Sequence, residues 1–480
     1  MLAPAAVRRM PGGGCHAARC HAALPARSGR CAFGHVTAPV AVTGGTVIGP
    51  DRVERSDVFI AEGRIVSVVP NVGTTGTQDG WSGGRNEGGT VGAGAERSAV
   101  DASTQDDAVP VAGGTLPATG GGPGRPWPAD QCVDATGLLV VPGFIDLQCN
   151  GAAGVDLTTE PERMGEVRAE LPRWGVTAWL PTIVTAPPAV RRRALDALDV
   201  SLAGRGGGAS GAVPLGLHLE GPFLASGHRG AHDARHLADP SPDLVAGEGW
   251  SPAAGVAMVT LAPELPGALD VVRELVDRGV VVAAGHSGAT AGQAAAAVDA
   301  GVSYVTHLFN AMAPLHHREP GLAGVAMADE RVRAGLIVDG LHVDPLVVGL
   351  AVRALGDRLS LVSDAVAALG AQPGPLRLGG LVADVSPSDG AVRLPDGTLA
   401  GSTLSLDRAV RNLVAFAGVP IERAVRAVTS TAAAVLGLAD RGVIAPGAVG
   451  DLALLTPAGE VVATMIGGRL AYDARDAQVP

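Results

Sequence analysis

Eight short runs with the character of buried strands alternate with helical segments through the middle of the chain, and this alternation constrains the fold most strongly. The runs are VVPGFIDLQ, VTAWLPTIV, VPLGLHLE, VAMVTLAP, VVVAAGHS, YVTHL, RAGLIVDG and LSLVSDA. Their near-continuous Val, Leu and Ala suit parallel strands that are covered on both faces. Between them, Asp344-Pro345 marks a helix start, and Gly279 and Gly301 follow helix ends. We therefore predict an α/β fold with a TIM-like (β/α)8 barrel over residues 141–438.

Both ends of the chain carry a different pattern. Short β-segments separated by Gly and Pro occupy residues 37–70 and 131–140, and similar segments return in residues 439–480. We expect these pieces to form one small β-sandwich domain. Residues 71–130 are low in complexity and lack periodicity, so we expect a disordered insertion there. Residues 1–36 contain no acidic residue and no helix or strand pattern, and we expect a disordered extension.

Charge and composition limit the function. The net charge of -11 is spread along the chain without a basic block, so we expect a small-molecule substrate and no nucleic-acid partner. No apolar run reaches the ~18 to 20 residues that cross a bilayer, so we expect no membrane segment. The five cysteines lack CxxC spacing, which fits a cytoplasmic protein. The sequence contains no lysine, which excludes Schiff-base chemistry and a carbamylated lysine as metal bridge.

Charged or imidazole side chains stand at the ends of four strand runs. Glu220 ends the third run, His286 the fifth, His307 the sixth and Asp364 the eighth. These positions converge on the C-terminal mouth of a barrel, where barrel enzymes place their chemistry. Two imidazoles and a carboxylate suit one divalent metal, zinc best, with a position left for water.

Asp364 has a different predicted task. A carboxylate beside a metal-activated water can accept its proton and pass it to a leaving group. The alternative is that Asp364 orients a histidine ligand. We favour the proton-transfer role.

Seven motifs together resemble the N-acetylglucosamine-6-phosphate deacetylases of the amidohydrolase superfamily. They are HLEGPFL, GAHD, GHSGAT, THLFNAMAPLHHREPG, DGLHVD, VSDA and AGSTLSL, and they span about Val140 to Leu438. The resemblance implies hydrolysis of the N-acetyl group of an aminosugar phosphate to glucosamine 6-phosphate and acetate. It also implies the same three metal ligands and Asp364 as catalytic acid and base.

The resemblance further implies substrate contacts. His342 matches a histidine that donates to the acetamide carbonyl as negative charge develops there, the alternative being a hydrogen bond that stabilises its loop. Arg318 matches a phosphate contact that reaches across a homodimer interface, the alternative being an exposed arginine on an ordinary loop. The sugar pocket would be lined mostly by backbone of six residues: Ala231, Asn310, Ala311, Leu399, Ala400 and Gly401.

The first strand run departs from the superfamily pattern. Many amidohydrolases carry His-x-His there, whereas this chain has Gln148 and Asn150. Neutral amides are poor zinc ligands compared with imidazole, and the Gln-x-Asn form in this family implies a single metal. Cys149 lies between them, and we expect it to pack on the opposite side of the strand.

Two other functions remain open at this point. A deaminase or cyclic-amide hydrolase would use the same metal site, but a neutral base has no use for a phosphate contact at Arg318. A sugar-phosphate binding protein without activity would not need Asp364 beside a complete ligand set.

Overall fold

The structure is a computed structural model that describes residues 38–49, 53–71, 131–203, 211–371, 374–386 and 388–476. The predicted extension, residues 1–36, and nearly all of the predicted insertion, residues 71–130, lie outside the described residues. None of the helices in the described part of the chain is both long and apolar enough to span a bilayer.

The strands of the described residues are numbered in chain order. The first half comprises β1 (Val40–Ile48), β2 (Val53–Ala61), β3 (Arg64–Pro70), β4 (Cys132–Asp134), β5 (Leu139–Pro142), β6 (Phe144–Cys149), β7 (Gly151–Ala152), β8 (Val155–Asp156), β9 (Val176–Val184), β10 (Val213–Pro214) and β11 (Leu217–Glu220). The second half comprises β12 (Val256–Leu261), β13 (Val281–Ala284), β14 (Tyr304–Val305), β15 (Arg333–Leu336), β16 (Leu359–Leu361), β17 (Pro375–Leu378), β18 (Leu381–Val385), β19 (Val392–Arg393), β20 (Leu452–Leu455), β21 (Val461–Ile466) and β22 (Arg469–Asp473).

The α-helices of the same residues lie between and after the barrel strands. They are α1 (Met164–Glu170), α2 (Pro188–Ala203), α3 (Pro242–Glu248), α4 (Ala268–Asp277), α5 (Ala291–Ala300), α6 (Gly321–Ala328), α7 (Pro345–Leu355), α8 (Leu406–Ala417), α9 (Ile421–Val428) and α10 (Ser430–Val435). Local sequence sets several of these ends. The Asp344 side chain accepts from Leu346 N at 2.8 Å at the start of α7, and Thr290 and Gln293 form a capping box on α5.

The predicted (β/α)8 barrel is confirmed. Among the described residues, eight parallel strands follow one another in the order β6, β9, β11, β12, β13, β14, β15 and β16. The segment after β16 pairs with the end of β6, which brings the last and first strands of the barrel together. Cys149 pairs with Ala365, and Asp364 N donates to Gln148 O at 2.9 Å. Barrel strands are buried along their length, as β9 and β12 illustrate. All strands point the same way, so their C-terminal ends form one mouth.

The two ends of the chain meet in a separate sheet. In the described segments its strand order is β22, β21, β20, β5, β1, β2 and β3, with β4 paired to β1. β20 pairs antiparallel with β5, which joins the C-terminal piece to the N-terminal piece. Side chains from distant strands share one core, for example Ile60 of β2 and Met465 of β21.

A small antiparallel sheet of β17, β18 and β19 is inserted between β16 and α8. Its side chains Leu378, Ala383 and Val392 form a third core with Val184 at the end of β9. This sheet is not predictable from the sequence, because its strands are short and half exposed. It packs beside the mouth of the barrel through Val184.

Candidate active site

Four predicted residues converge at the mouth of the barrel. Glu220 is the last residue of β11, and the other three follow the ends of β13, β14 and β16 within three residues. Glu220 Oε1 lies 3.1 Å from His286 Nε2 and 3.0 Å from His307 Nε2, and the two ring nitrogens are 3.0 Å apart. All three side chains are buried. The structure therefore brings the predicted ligand atoms to one point.

The backbone turns sharply where these side chains enter the mouth. His286, His307 and Asp364 have φ angles of 50°, 26° and 46°, in the left-handed region that residues other than glycine rarely adopt. Such conformations cost about 1 to 3 kcal/mol each and persist where the surrounding structure holds them. Here the hydrogen bond from Asp364 N to Gln148 O is one such restraint. Strain of this kind clusters at functional sites.

The protonation of His286 shows that this cluster fits a cation. His286 Nδ1 lies 2.9 Å from His228 O, a carbonyl that only accepts, so Nδ1 carries the hydrogen. Burial lowers the pKa of His286 to about 4, so the ring is neutral at neutral pH and Nε2 presents a lone pair. That lone pair faces Glu220 Oε1, which is also an acceptor. A divalent cation between the two atoms satisfies both.

The remaining features of the donor set agree with a metal. Ligand atoms from Glu220, His286 and His307 all lie within 4.8 Å of one another. Tetrahedral zinc with bonds of ~2.0 to 2.1 Å places its ligand atoms ~3.3 Å apart, close to the spacing observed here. Burial opposes the ionisation of Glu220, but the neighbouring histidines hold its pKa well below the usual range. The residues present therefore fit a divalent metal ion.

Asp364 lies beside this cluster and is the group suited to proton transfer. It is 8% exposed, and burial, followed by the charge of Glu220, raises its pKa to about 6. Oδ1 accepts a hydrogen bond of 2.7 Å from Asn150 Nδ2. A carboxyl group with a pKa near neutrality can both accept and return a proton under physiological conditions.

A cavity of about 300 Å³ opens on these residues. Six of the predicted substrate contacts line it: Ala231, Asn310, Ala311, His342, Leu399 and Gly401. Ala400 is fully buried behind the wall, where it packs in the third core. Arg318 is exposed and is not among the lining residues; its Nη1 lies 2.9 Å from His317 Nε2. The structure therefore does not bring Arg318 to the cavity of its own chain.

His342 lines the cavity and is also held within its loop. Its Nδ1 donates to Asp339 Oδ2 at 2.7 Å, and its backbone N donates to Asp339 Oδ1 at 2.8 Å. Burial opposes the ionisation of Asp339, but the hydrogen bond from His342 lowers its pKa overall. The hydrogen bonds to Asp339 therefore fix the orientation of the His342 ring at the cavity.

His232 also lines the cavity and is not among the residues predicted from the sequence. Its Nε2 is 3.6 Å from Glu220 Oε2, and its Nδ1 lies 2.9 Å from Thr185 Oγ1. Its ring packs edge-on against His286 with centroids 4.5 Å apart. His232 lies in a loop, where the periodicity that identifies strands is not informative. Its place in the GAHD motif was therefore the only indication in the sequence that this histidine belongs to the site.

The strand alternation, the convergence at the mouth and the neighbouring carboxylate define a metal-dependent hydrolase built on a barrel. Residues 139–471 match the model of the amidohydrolase family, whose members are metal-dependent. The chain belongs to this family and, within it, to the N-acetylglucosamine-6-phosphate deacetylases.

Three relatives illustrate the similarity. The N-acetylglucosamine-6-phosphate deacetylase of Homo sapiens is 40% identical over 72% of this chain and 86% of that protein. The N-acetylgalactosamine-6-phosphate deacetylase of Escherichia coli O157:H7 is 39% identical over 62% of this chain and 78% of that protein. A solved structure of a mutant N-acetyl-D-glucosamine-6-phosphate deacetylase from Mycobacterium smegmatis, in complex with N-acetyl-D-glucosamine-6-phosphate, is 32% identical. Its TM-score is 0.72, and the match covers 91% of this chain and all of that one.

Proposed function

We propose that the protein hydrolyses N-acetylglucosamine 6-phosphate to glucosamine 6-phosphate and acetate, as the names of its relatives indicate. The observation that carries this function is the position of Asp364, a buried carboxyl group beside the Glu220, His286 and His307 donor set and on the same cavity. The deaminase, cyclic-amide hydrolase and binding-protein alternatives lose support, because the relatives are deacetylases that hydrolyse a linear amide.

The metal we propose is one Zn²⁺ ion held by Glu220, His286 and His307. Two imidazoles and a carboxylate form a donor set that zinc accepts well. A single ion is supported by β6 and the residue that follows it, because Gln148 and Asn150 already direct their amide nitrogens to Glu220 and Asp364. When bound, such an ion polarises the acetamide carbonyl and makes a water molecule more acidic.

Asp364 moves the proton in this proposal. It accepts a proton from the attacking water and returns it to the amide nitrogen, which leaves poorly as an anion and well as an amine. One carboxyl group can do both, since it is ionised before the first transfer and protonated before the second. His342 donates a hydrogen bond to the carbonyl oxygen as negative charge develops there.

Phosphate recognition is assigned to Arg318 from a second subunit of a homodimer. Its exposed position, away from the cavity of its own chain, supports this assignment. A guanidinium group matches the geometry of a phosphate dianion. Ala231, Asn310, Ala311 and the segment 399–401 would contact the sugar. We place the enzyme in the cytoplasm, where its phosphorylated substrate would be available.

Acetate release from purified, zinc-replete protein tests the proposal. N-acetylglucosamine 6-phosphate is compared with unphosphorylated N-acetylglucosamine and with N-acetylgalactosamine 6-phosphate, since one relative carries the latter name. We expect acetate from the first substrate and a much lower kcat/KM without the phosphate. Absence of acetate from all three would contradict the function, and equal kcat/KM with and without phosphate would contradict the phosphate contact alone.

A further inference from the structure

Two buried amide side chains on β6 and just after it each donate a hydrogen bond to a different carboxylate of the active site. Gln148 Nε2 donates to Glu220 Oε1 at 3.0 Å, and Asn150 Nδ2 donates to Asp364 Oδ1 at 2.7 Å. Gln148 is 1% and Asn150 is 2% exposed. One amide thus contacts a metal ligand, and the other contacts the proton-transfer group.

The orientation of both amides is determined by their partners. An ionised carboxylate only accepts hydrogen bonds, so the nitrogen of each amide must face it. Gln148 Oε1 and Asn150 Oδ1 are consequently left buried, and no group of the described residues bonds to either. An unpartnered buried oxygen is unfavourable. Each side chain therefore keeps one strong bond to a carboxylate and leaves its own oxygen unpaired.

The backbone holds the amides and carboxylates in fixed register. Asn150 N donates to Ala365 O at 2.7 Å, and Ser363 Oγ donates to Gln148 O at 3.1 Å. These bonds join β6 to the segment that carries Asp364. Groups on a rigid sheet hold a functional side chain more accurately than groups on a loop. Asn150 is thereby placed to select the orientation of the Asp364 carboxylate.

No group of the described residues other than Asn150 donates to the Asp364 side chain. With Oδ1 engaged by Asn150, Oδ2 is the oxygen left for the proton. At Glu220, by contrast, Gln148 approaches the same oxygen that faces His286 and His307. The two amides therefore affect different properties of the site.

We propose that Gln148 and Asn150 are separate positioning residues: Gln148 orients Glu220 for metal binding, and Asn150 orients Asp364 for proton transfer. The Asn150 half rests on the proposed function, in which Asp364 carries the proton. The Gln148 half concerns metal affinity and does not depend on the substrate.

The test compares Gln148→Met with Asn150→Leu, two substitutions that remove the amide and keep a similar volume. Zinc affinity is measured by competition between apoprotein and a chromophoric chelator, and kcat and KM are measured by acetate release at saturating zinc. We expect Gln148→Met to weaken zinc binding by ~10- to 100-fold, the usual cost of removing a partner of a metal ligand. We expect Asn150→Leu to lower kcat by a similar ~10- to 100-fold with zinc affinity and KM unchanged.

Two further variants keep the result interpretable. Asn150→Ala removes the donor without adding a charge, so it decides the matter if Asn150→Leu does not fold. Gln293→Met removes an amide that caps α5 away from the cavity, and it should change neither zinc affinity nor kcat. Thermal melting checks the folding of every variant.

The outcomes are distinct. Wild-type kcat in folded Asn150→Ala or Asn150→Leu would overturn the Asn150 half, and unchanged zinc affinity in Gln148→Met would overturn the Gln148 half. Equal loss of zinc affinity in both would show that the amides do not act separately. A wild-type protein that releases no acetate would instead refute the proposed function, and the zinc competition would still test Gln148.

Discussion

Replacing Asp364 by asparagine tests the proton-transfer step directly. The substitution is nearly isosteric, and the new amide oxygen can still accept from Asn150 Nδ2, which lies 2.7 Å from Oδ1. Asparagine also tolerates the left-handed backbone at this position, where φ is 46°, better than most residues. Asp364 is not among the three ligand residues. The variant should therefore fold and bind metal as the wild type does.

The expected loss follows from the chemistry that is removed. General acid and base catalysis contributes about 10²- to 10⁴-fold, and an amide performs neither transfer. The loss corresponds to about 3 to 5 kcal/mol of transition-state stabilisation and should appear in kcat, with KM little changed.

The pH dependence adds a second measurement. Burial, and then the charge of Glu220, raise the pKa of Asp364 to about 6, and the base must be ionised to accept a proton. Wild-type kcat/KM should therefore fall as the pH decreases through about 6, or somewhat lower because a bound cation offsets the charge of Glu220. The residual activity of Asp364→Asn should lack this acidic limb.

The assay is acetate release between about pH 5 and 8, a window that brackets the useful range of such a general base, with metal content measured by elemental analysis. Activity close to that of the wild type, or an unchanged acidic limb in the variant, would refute the assignment of Asp364. Loss of metal together with activity would instead indicate that Asp364 helps to bind the ion.

Three more predictions concern metal, phosphate and stability. Elemental analysis should find about one tightly bound zinc ion per chain, and two zinc ions per chain would contradict the single site. Removal of the zinc by a chelator should abolish acetate release and lower the melting temperature until zinc is restored. Arg318→Gln should raise KM for the phosphorylated sugar by about tenfold or more and leave the KM for the unphosphorylated sugar unchanged. Light scattering should report a dimer for the wild type. A wild-type monomer with full activity would contradict the contact from a second subunit. Burial raises the pKa of Asp156 to about 6, above its value in the unfolded chain, so the folded state binds its proton more tightly and this residue destabilises the fold increasingly from about pH 4 to 6 and fully above. The stability of Asp156→Asn relative to the wild type should consequently rise by up to about 3 kcal/mol as the pH increases from about 4 to 8. The hydrogen bonds that Oδ2 accepts from Thr159 and Gly379 are lost at every pH, so they do not change this slope. A melting-temperature difference independent of pH would contradict the prediction.

Much of the architecture is determined by the sequence alone. A barrel strand is buried on both faces and therefore appears as a nearly continuous apolar run, whereas a barrel helix is buried on one face only. The alternation of these two patterns identifies all eight strand runs and their order. Because all the strands are parallel, Glu220, His286, His307 and Asp364 at the run ends had to share one mouth. The sheet formed by both ends of the chain is also predictable in outline, since its segments show alternation.

Other features depended on tertiary contacts. His232 lies in a loop and reaches Glu220 Oε2 because Thr185, from the end of β9, holds its ring. The orientation of the Gln148 and Asn150 amides follows from carboxylates 72 and 214 residues away along the chain. Periodicity reports which face of a regular element is buried, and it contains no information on the path of a loop or the rotation of a polar side chain. Those are set by partners distant in sequence, and here such partners convert a predicted ligand set into an ordered site.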